Sequence, residues 1–365
     1  MNLRVRGIMA VAAAAVVALG ACTSGGGGDW KAAPDANKAK SEGAGLITYG
    51  LPDDWANYGG SLKQFCAKYQ IAGCTHTDTD MTSGEEIQKY TAEKNNPAAI
   101  FSDIGIAYGP VAEAAGVIPE YLPPSAAKLP AQYKAAKGGW VGTFFGVPCI
   151  LVNLDALKAK GLDAPKAWTD LADPKYKGLI GMPKVGTSGQ ADSIFTAWNI
   201  TQGGTETDFG PGVALAKKIL PNLAADQGNE ASAEKGEIPI ILKYDFNNLA
   251  ILAQLKAKGI NADVYIPSDG SVYTGSGLML NVYNTAQMDV AKLFLDWVLS
   301  DEGQTVMAKF GARPLRYVLG DLQLPADAKA NWLPDSEYAN VKRIDQTKIA
   351  PSVLADTWNK QVAGQ

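Results

Sequence analysis

Residues 179–199 read LIGMPKVGTSGQADSIFTAWN, and this stretch decides the fold. Leu179-Ile180-Gly181-Met182 is a short apolar run with the length of a buried strand. Gly186-Thr187-Ser188-Gly189-Gln190 interrupts it with residue types that turn the chain and cap helices. Beyond the turn, Ala191, Ile194, Phe195 and Trp198 recur at the spacing of a buried helix face. A strand joined through a short polar turn to a helix is the repeating unit of an α/β protein.

The same alternation runs outward through the chain. Leu46-Ile47-Thr48-Tyr49, Ala98-Ala99-Ile100-Phe101, Val147-Pro148-Cys149-Ile150-Leu151-Val152, Ile238-Pro239-Ile240-Ile241-Leu242 and Val264-Tyr265-Ile266 are further apolar runs. Leu62, Phe65, Cys66 and Tyr69 fall at helical spacing, and Val290, Leu293, Phe294, Trp297 and Val298 form a full stripe. The pattern predicts an α/β protein with mostly parallel sheets and helices on both faces.

Ligands of such sheets sit beyond the carboxyl ends of the strands, which directs attention to the residues after each run. These are Gly50 to Trp55, with Asp53 and Trp55; Ser102 to Gly105, with Asp103, followed by Tyr108; the 186–190 turn; and Lys243-Tyr244-Asp245. Thr82-Ser83-Gly84-Glu85 opens another helix and adds Ser83. Two halves that each present several such loops imply two lobes facing across a cleft.

At this level the residues resemble a known family. Residues 183–199 resemble the P-x-x-x-T-S-G segment of type 2 periplasmic binding proteins related to ferric-iron, sugar-phosphate and phosphonate binders. Residues 167–181, AWTDLADPKYKGLIG, are similar to that family's W-x-D-L-x-D-P-x-x-K-G segment, and residues 291–313, AKLFLDWVLSDEGQTVMAKFGAR, resemble its late helix with an S-x-E-G-Q turn. Together with the opening strand and the N-terminal Leu19-Gly20-Ala21-Cys22, they span most of the mature chain in the right order. The resemblance implies the solute-binding subunit of an ABC importer: a monomer of two lobes joined by crossing strands, closing on a small-molecule ligand and docking on a membrane permease. On this reading 45–147 and 277–365 form lobe 1 and 148–276 lobe 2. The hinges lie near 146–153 and 271–280, and the C-terminal helices return to lobe 1.

The N-terminus agrees with an extracytoplasmic address. Arg4 and Arg6, an apolar stretch from Ile8 to Leu19 and small residues before Cys22 read as an export signal, 1–21. Leu19-Gly20-Ala21-Cys22 looks like a bacterial lipobox, which makes Cys22 the lipidation residue and the membrane anchor. The Gly-rich, polar stretch 22–44 reads as a flexible tether. In an exported chain Cys66 and Cys74, which enclose a short loop, are the natural disulfide pair, and Cys149 in its apolar run is packing.

Composition narrows the function. A formal charge of -4 with no basic cluster argues against nucleic acid. The single histidine, His76, and the absence of a G-x-S-x-G argue against an exported hydrolase and against a metal centre. No cofactor is expected. Thr187, Ser188, Gly189 and Gln190, at a helix start, form the candidate anion site. Trp55, Tyr108 and Tyr244 offer flat faces to an organic ligand, and Asp53, Asp103 and Asp245 accept hydrogen bonds. A small organic anion or zwitterion carrying phosphate, phosphonate or carboxylate fits best. The alternatives are a polyamine, or ferric iron through the separated tyrosines Tyr49, Tyr108, Tyr244 and Tyr273, since the chain has no Tyr-Tyr pair.

Overall fold

A computed structural model describes residues 29–364, so the expected signal segment 1–21 and Cys22 lie outside the described residues. The strands are β1 (Leu46–Tyr49), β2 (His76–Thr79), β3 (Phe101–Gly105), β4 (Trp140–Gly146), β5 (Pro148–Asn153), β6 (Ile180–Gly181), β7 (Ile240–Tyr244), β8 (Ala262–Tyr265), β9 (Ser271–Leu280), β10 (Arg313–Pro314) and β11 (Val341–Arg343). One sheet has the order β10-β4-β9-β3-β1-β2 with β11 on β9, and the other the order β6-β7-β5-β8. Each sheet, with its helices, is one lobe of an α/β protein.

The sheets are mixed, where mostly parallel ones were expected. β1 lies parallel to β2 and β3, and β6 parallel to β7. By contrast β9 runs antiparallel to β3 and β4, and β5 antiparallel to β7 and β8. The cause is the connection between the lobes. β4 and β5 form one extended path that leaves the first sheet at Gly146 and enters the second at Pro148, and β9 comes back beside it. A strand returning through the same gap runs against its neighbour.

Aromatic side chains fill both lobes. In the first, Phe294 stacks on Phe101 with centroids 4.8 Å apart and meets the edge of Phe65 at 5.1 Å. In the second, Phe195 and Trp198 of the Gly189–Thr201 helix are buried with Trp168. Each such side chain contributes about 1.5–3 kcal/mol through burial. Cys66 and Cys74 are bonded, closing the end of the Tyr58–Tyr69 helix onto the chain before β2, and Cys149 is buried.

Two segments differ from the sequence expectation. Residues 29–44 are docked where a tether was expected. They include a helix, Ala36–Glu42, and lie against the Met288–Trp297 helix. Trp30 Nε1 donates to the Val282 carbonyl at 3.2 Å, and the buried Lys292 donates to the carbonyls of Asp29 and Ala32 at 2.8 and 2.9 Å. Glu42 Oε2 accepts from the first-turn amides of Asp289 and Val290 at 2.7 and 3.0 Å. These long-range partners outweigh the weak apolar pattern of the segment. The second difference is the C-terminus, which crosses to the second lobe instead of staying on the first. Leu354, Trp358 and Val362 line one helical face, and they are buried with Phe195 and Trp198. The Trp358 ring meets Phe195 edge-on at 5.3 Å.

Candidate ligand-binding site

A cleft of about 590 Å³ opens between the lobes, a size usual for small-molecule sites. The first lobe supplies the loop after β1, the start of the Ser83–Ala92 helix and the end of β3. Ala56 and Asn57 carry positive φ of 47° and 62°, and this strained pair sets the loop that presents Trp55. Trp55 Nε1 donates to Asp103 Oδ2 at 3.3 Å, and Ser83 Oγ accepts from the Gly105 amide at 3.1 Å. Glu85 caps its own helix through the Thr82 amide at 2.8 Å, whereas its neighbour Glu86 is buried against the cleft and its Oε2 has no hydrogen-bond partner. Gly50 allows this placement. Its φ is +62°, and a Cβ there would lie 2.0 Å from Glu86 Oε1.

The second lobe supplies the turn before the Gly189–Thr201 helix and the end of β7. Ser188 has the extended backbone of an N-cap, φ -140° and ψ 123°, but its side chain bonds none of the first-turn amides. Asp192 folds back to accept from the Gly186 amide at 2.7 Å, which braces the turn. Ser193 Oγ and the Tyr244 hydroxyl lie 2.7 Å apart, and Gln190 Nε2 donates to Asn247 Oδ1 at 2.6 Å. Gly146 has no room for a side chain at the crossing: a Cβ would sit 2.6 Å from the Tyr244 ring. Where the lobes meet, Trp55 packs on Phe246 at 5.2 Å and Tyr244 at 6.3 Å, a shared aromatic base beneath the cleft.

Burial governs the titration of these groups. It pushes the Asp103 carboxyl up to about 8, against the opposing pull of the Tyr58 and Ser276 hydroxyls and the Trp55 indole. Asp192 is pushed up to about 7 by burial, opposed by its bond to the Gly186 amide. Glu86 is held well above the usual carboxylate range by burial and then by the nearby Asp103 and Asp78. The Tyr108 and Tyr244 phenols are both pushed up to about 12 by burial, and burial lowers Lys243.

The structure brings Trp55, Ser83, Asp103, Tyr108, Ser188, Gly189, Gln190 and Tyr244 together around the cleft. It places four other candidates elsewhere. Asp53 turns away to bond His76 Nδ1 at 2.6 Å, beside a separate groove next to the disulfide. Thr187 Oγ1 closes its own turn on the Lys184 carbonyl at 3.0 Å. Asp245 is buried at the crossing, accepting from the Val147 amide at 3.0 Å and the Tyr338 hydroxyl at 2.6 Å. Tyr273 packs between Phe145 and Tyr338. Glu86, Asp192, Ser193 and Gln346 line the cleft and were not foreseen. Glu86 carried a readable signal, because it shares the buried helix face of Ile87 and Tyr90. Gln346, whose Oε1 accepts from the Gly275 amide at 2.5 Å, arrives from a remote segment without periodicity.

With this geometry in view, comparisons with known proteins converge. The sequence profile of a family described as bacterial extracellular solute-binding protein matches residues 108–341. A chain of Sinorhizobium fredii named "Probable ABC transporter periplasmic-binding protein" is 30% identical over 296 residues, covering 76% of each chain. The periplasmic binding protein AfuA of Actinobacillus pleuropneumoniae, with exogenous fructose-6-phosphate bound, superposes with a TM-score of 0.70 at 21% identity, covering 87% of this chain and 99% of that one. Iron-bound HitA of Pseudomonas aeruginosa gives a TM-score of 0.66 at 20% identity, with the same coverage. At these identities the structural likenesses speak for the fold alone.

Proposed function

This chain belongs to the bacterial extracellular solute-binding proteins and is the solute-binding subunit of an ABC transporter; from that premise we propose that it captures a small organic solute with an acidic group in the inter-lobe cleft and hands it to a membrane permease. A phosphate, phosphonate or carboxylate compound is the class meant. The observation that carries this is the uncapped first turn of the Gly189–Thr201 helix, whose residues Ser188, Gly189 and Gln190 line the cleft with Lys243 on the same lobe. Amides at a helix start and a lysine side chain both favour negative charge. In the same reading 1–21 is an export signal and Cys22 the lipid anchor, which holds the protein as a monomer beside its permease.

Ferric iron has less in its favour. Tyr49 is engaged with Glu93 and Tyr273 is packed, which leaves Tyr108 and Tyr244 in the cleft. Both phenols are pushed up by burial, away from the ionised form that Fe(III) takes. Among the described residues no group of three or more His, Cys, Asp or Glu side chains is arranged to hold a metal.

A thermal-shift screen of the full chain against sugar phosphates, phosphonates, carboxylates, polyamines and ferric iron tests the reading. A ligand at 100 times its dissociation constant adds about 2.7 kcal/mol to stability. Stabilisation by an organic acid is the expected result, and stabilisation by ferric iron alone would overturn it.

A further inference from the structure

The wall of the cleft opposite the Gly189 turn has a chemistry that an acidic solute group does not use. Glu86 is 1% exposed and Asp103 is 6% exposed, and both side chains border the cleft. Glu86 Oε2 has no hydrogen-bond partner. An orphaned carboxyl oxygen in a protein interior costs stability unless a partner arrives. The chain even gives up a side chain at position 50 to seat this carboxyl, as the 2.0 Å approach of Glu86 Oε1 to a Gly50 Cβ shows. The charges that act most strongly on Glu86 are those of Asp103, Asp78, Asp80 and Glu85, all of one sign. Trp55 Nε1 occupies Asp103 Oδ2. Lys243, the cleft's cation, stands on the other lobe.

We propose that the first-lobe wall is a receptor for a protonated amine, held by Glu86 and Asp103, so that the captured solute is a zwitterion with its ammonium on the first lobe and its acid group at the Gly189 turn. The proposal rests on reading the cleft as the solute site. An ammonium has three donors, which Glu86 Oε2 and Asp103 are placed to accept. Charge-assisted bonds of this kind are about twice as strong as neutral ones. Burial disfavours the charged form of both carboxyls, and an incoming ammonium offsets that by pairing with the ionised form. Because the two ends of the solute are held by different lobes, a zwitterion bridges the cleft where a simple anion or amine engages one wall.

The test uses pairs that differ only by the nitrogen: phosphoethanolamine and ethyl phosphate, β-alanine and propionate, taurine and ethanesulfonate, with propylamine as the amine alone. Affinities are measured by calorimetry on the full chain and on Glu86→Gln and Asp103→Asn variants. We expect at least one amino member to bind about tenfold or more tighter than its nitrogen-free partner, the scale of one charge-assisted bond. Glu86→Gln should erase that advantage while melting as cooperatively as the parent, since it removes a buried unpaired carboxyl without changing its shape. Equal binding within every pair, or an advantage that survives both substitutions, overturns the amine receptor and leaves the acid-end reading standing. Tight propylamine binding that needs Glu86 and gains nothing from an acid group sinks the acid-end reading and keeps the receptor. If none of the seven compounds binds, both fail.

Discussion

At the scale of the residue, Gly189 is the most direct handle on the acid end of the cleft. It is the first residue of its helix, follows an extended Ser188, and an added Cβ meets nothing within 4 Å. Proline suits the first helical position and an extended residue before it, so Gly189→Pro keeps the helix and deletes one amide donor. We expect affinity for an acidic ligand to fall about tenfold or more in calorimetry while the melting temperature stays within about a degree. The same scale shows what sequence reading could and could not see. Ser188, Gly189 and Tyr244 were legible because turn and post-strand positions announce themselves. Asp53 and Asp245 follow strands equally well, but one bonds His76 and the other braces Val147 and Tyr338. Which way a post-strand carboxylate turns depends on partners distant in sequence, and no local pattern encodes those.

At the scale of the element, the Met288–Trp297 helix is capped from outside its own sequence. Its N-cap residue Gln287 makes no side-chain cap bond, and Glu42 from the N-terminal arm supplies the acceptor for two first-turn amides. Replacing Glu42 with alanine should cost about 1 kcal/mol in urea unfolding, the usual value of a helix cap. A chain beginning at Gly45 should lose more, because Trp30 and the Lys292 bonds go with the arm. If the Gly45 chain is as stable as the full one, the docked arm is without energetic weight. Elements with strong periodicity were readable: β1 covers Leu46 to Tyr49 as expected, and the stripe through Val290 to Trp297 is the core of its helix. β3 begins only at Phe101, since the carbonyls of Ala98 and Ala99 are taken by the Asn284 and Asn281 side chains instead of a strand ladder. The arm escaped notice because its polar, Ala-rich stretch gains order only from contacts with a helix far along the chain.

At the scale of the whole molecule, the cleft carboxyls set a pH dependence. Asp103 at about 8 and Asp192 at about 7 stand above the ordinary 3.8, so the unfolded chain gives up these protons first. Their contribution is complete below about pH 4 and is lost as pH rises to about 8, after which its slope levels off. Urea unfolding across this range should show that fall, and a flatter profile for Asp103→Asn; identical slopes would mean that Asp103 ionises freely in the folded state. Ligand binding should also draw the lobes together. Small-angle scattering with a saturating ligand from the screen should give a smaller radius of gyration than the empty protein, and an unchanged radius would contradict closure. The C-terminal crossing bears on how such a movement runs. Beside β4–β5 and β9, a third strap passes from β11 on the first sheet to Leu354, Trp358 and Val362 on the second lobe, pinned on the way where Gln346 meets Gly275. Two cords leave a jaw free to twist as well as shut, whereas a third resists torsion, so closure should carry the mouth along a single arc and should offer a permease one reproducible loaded silhouette.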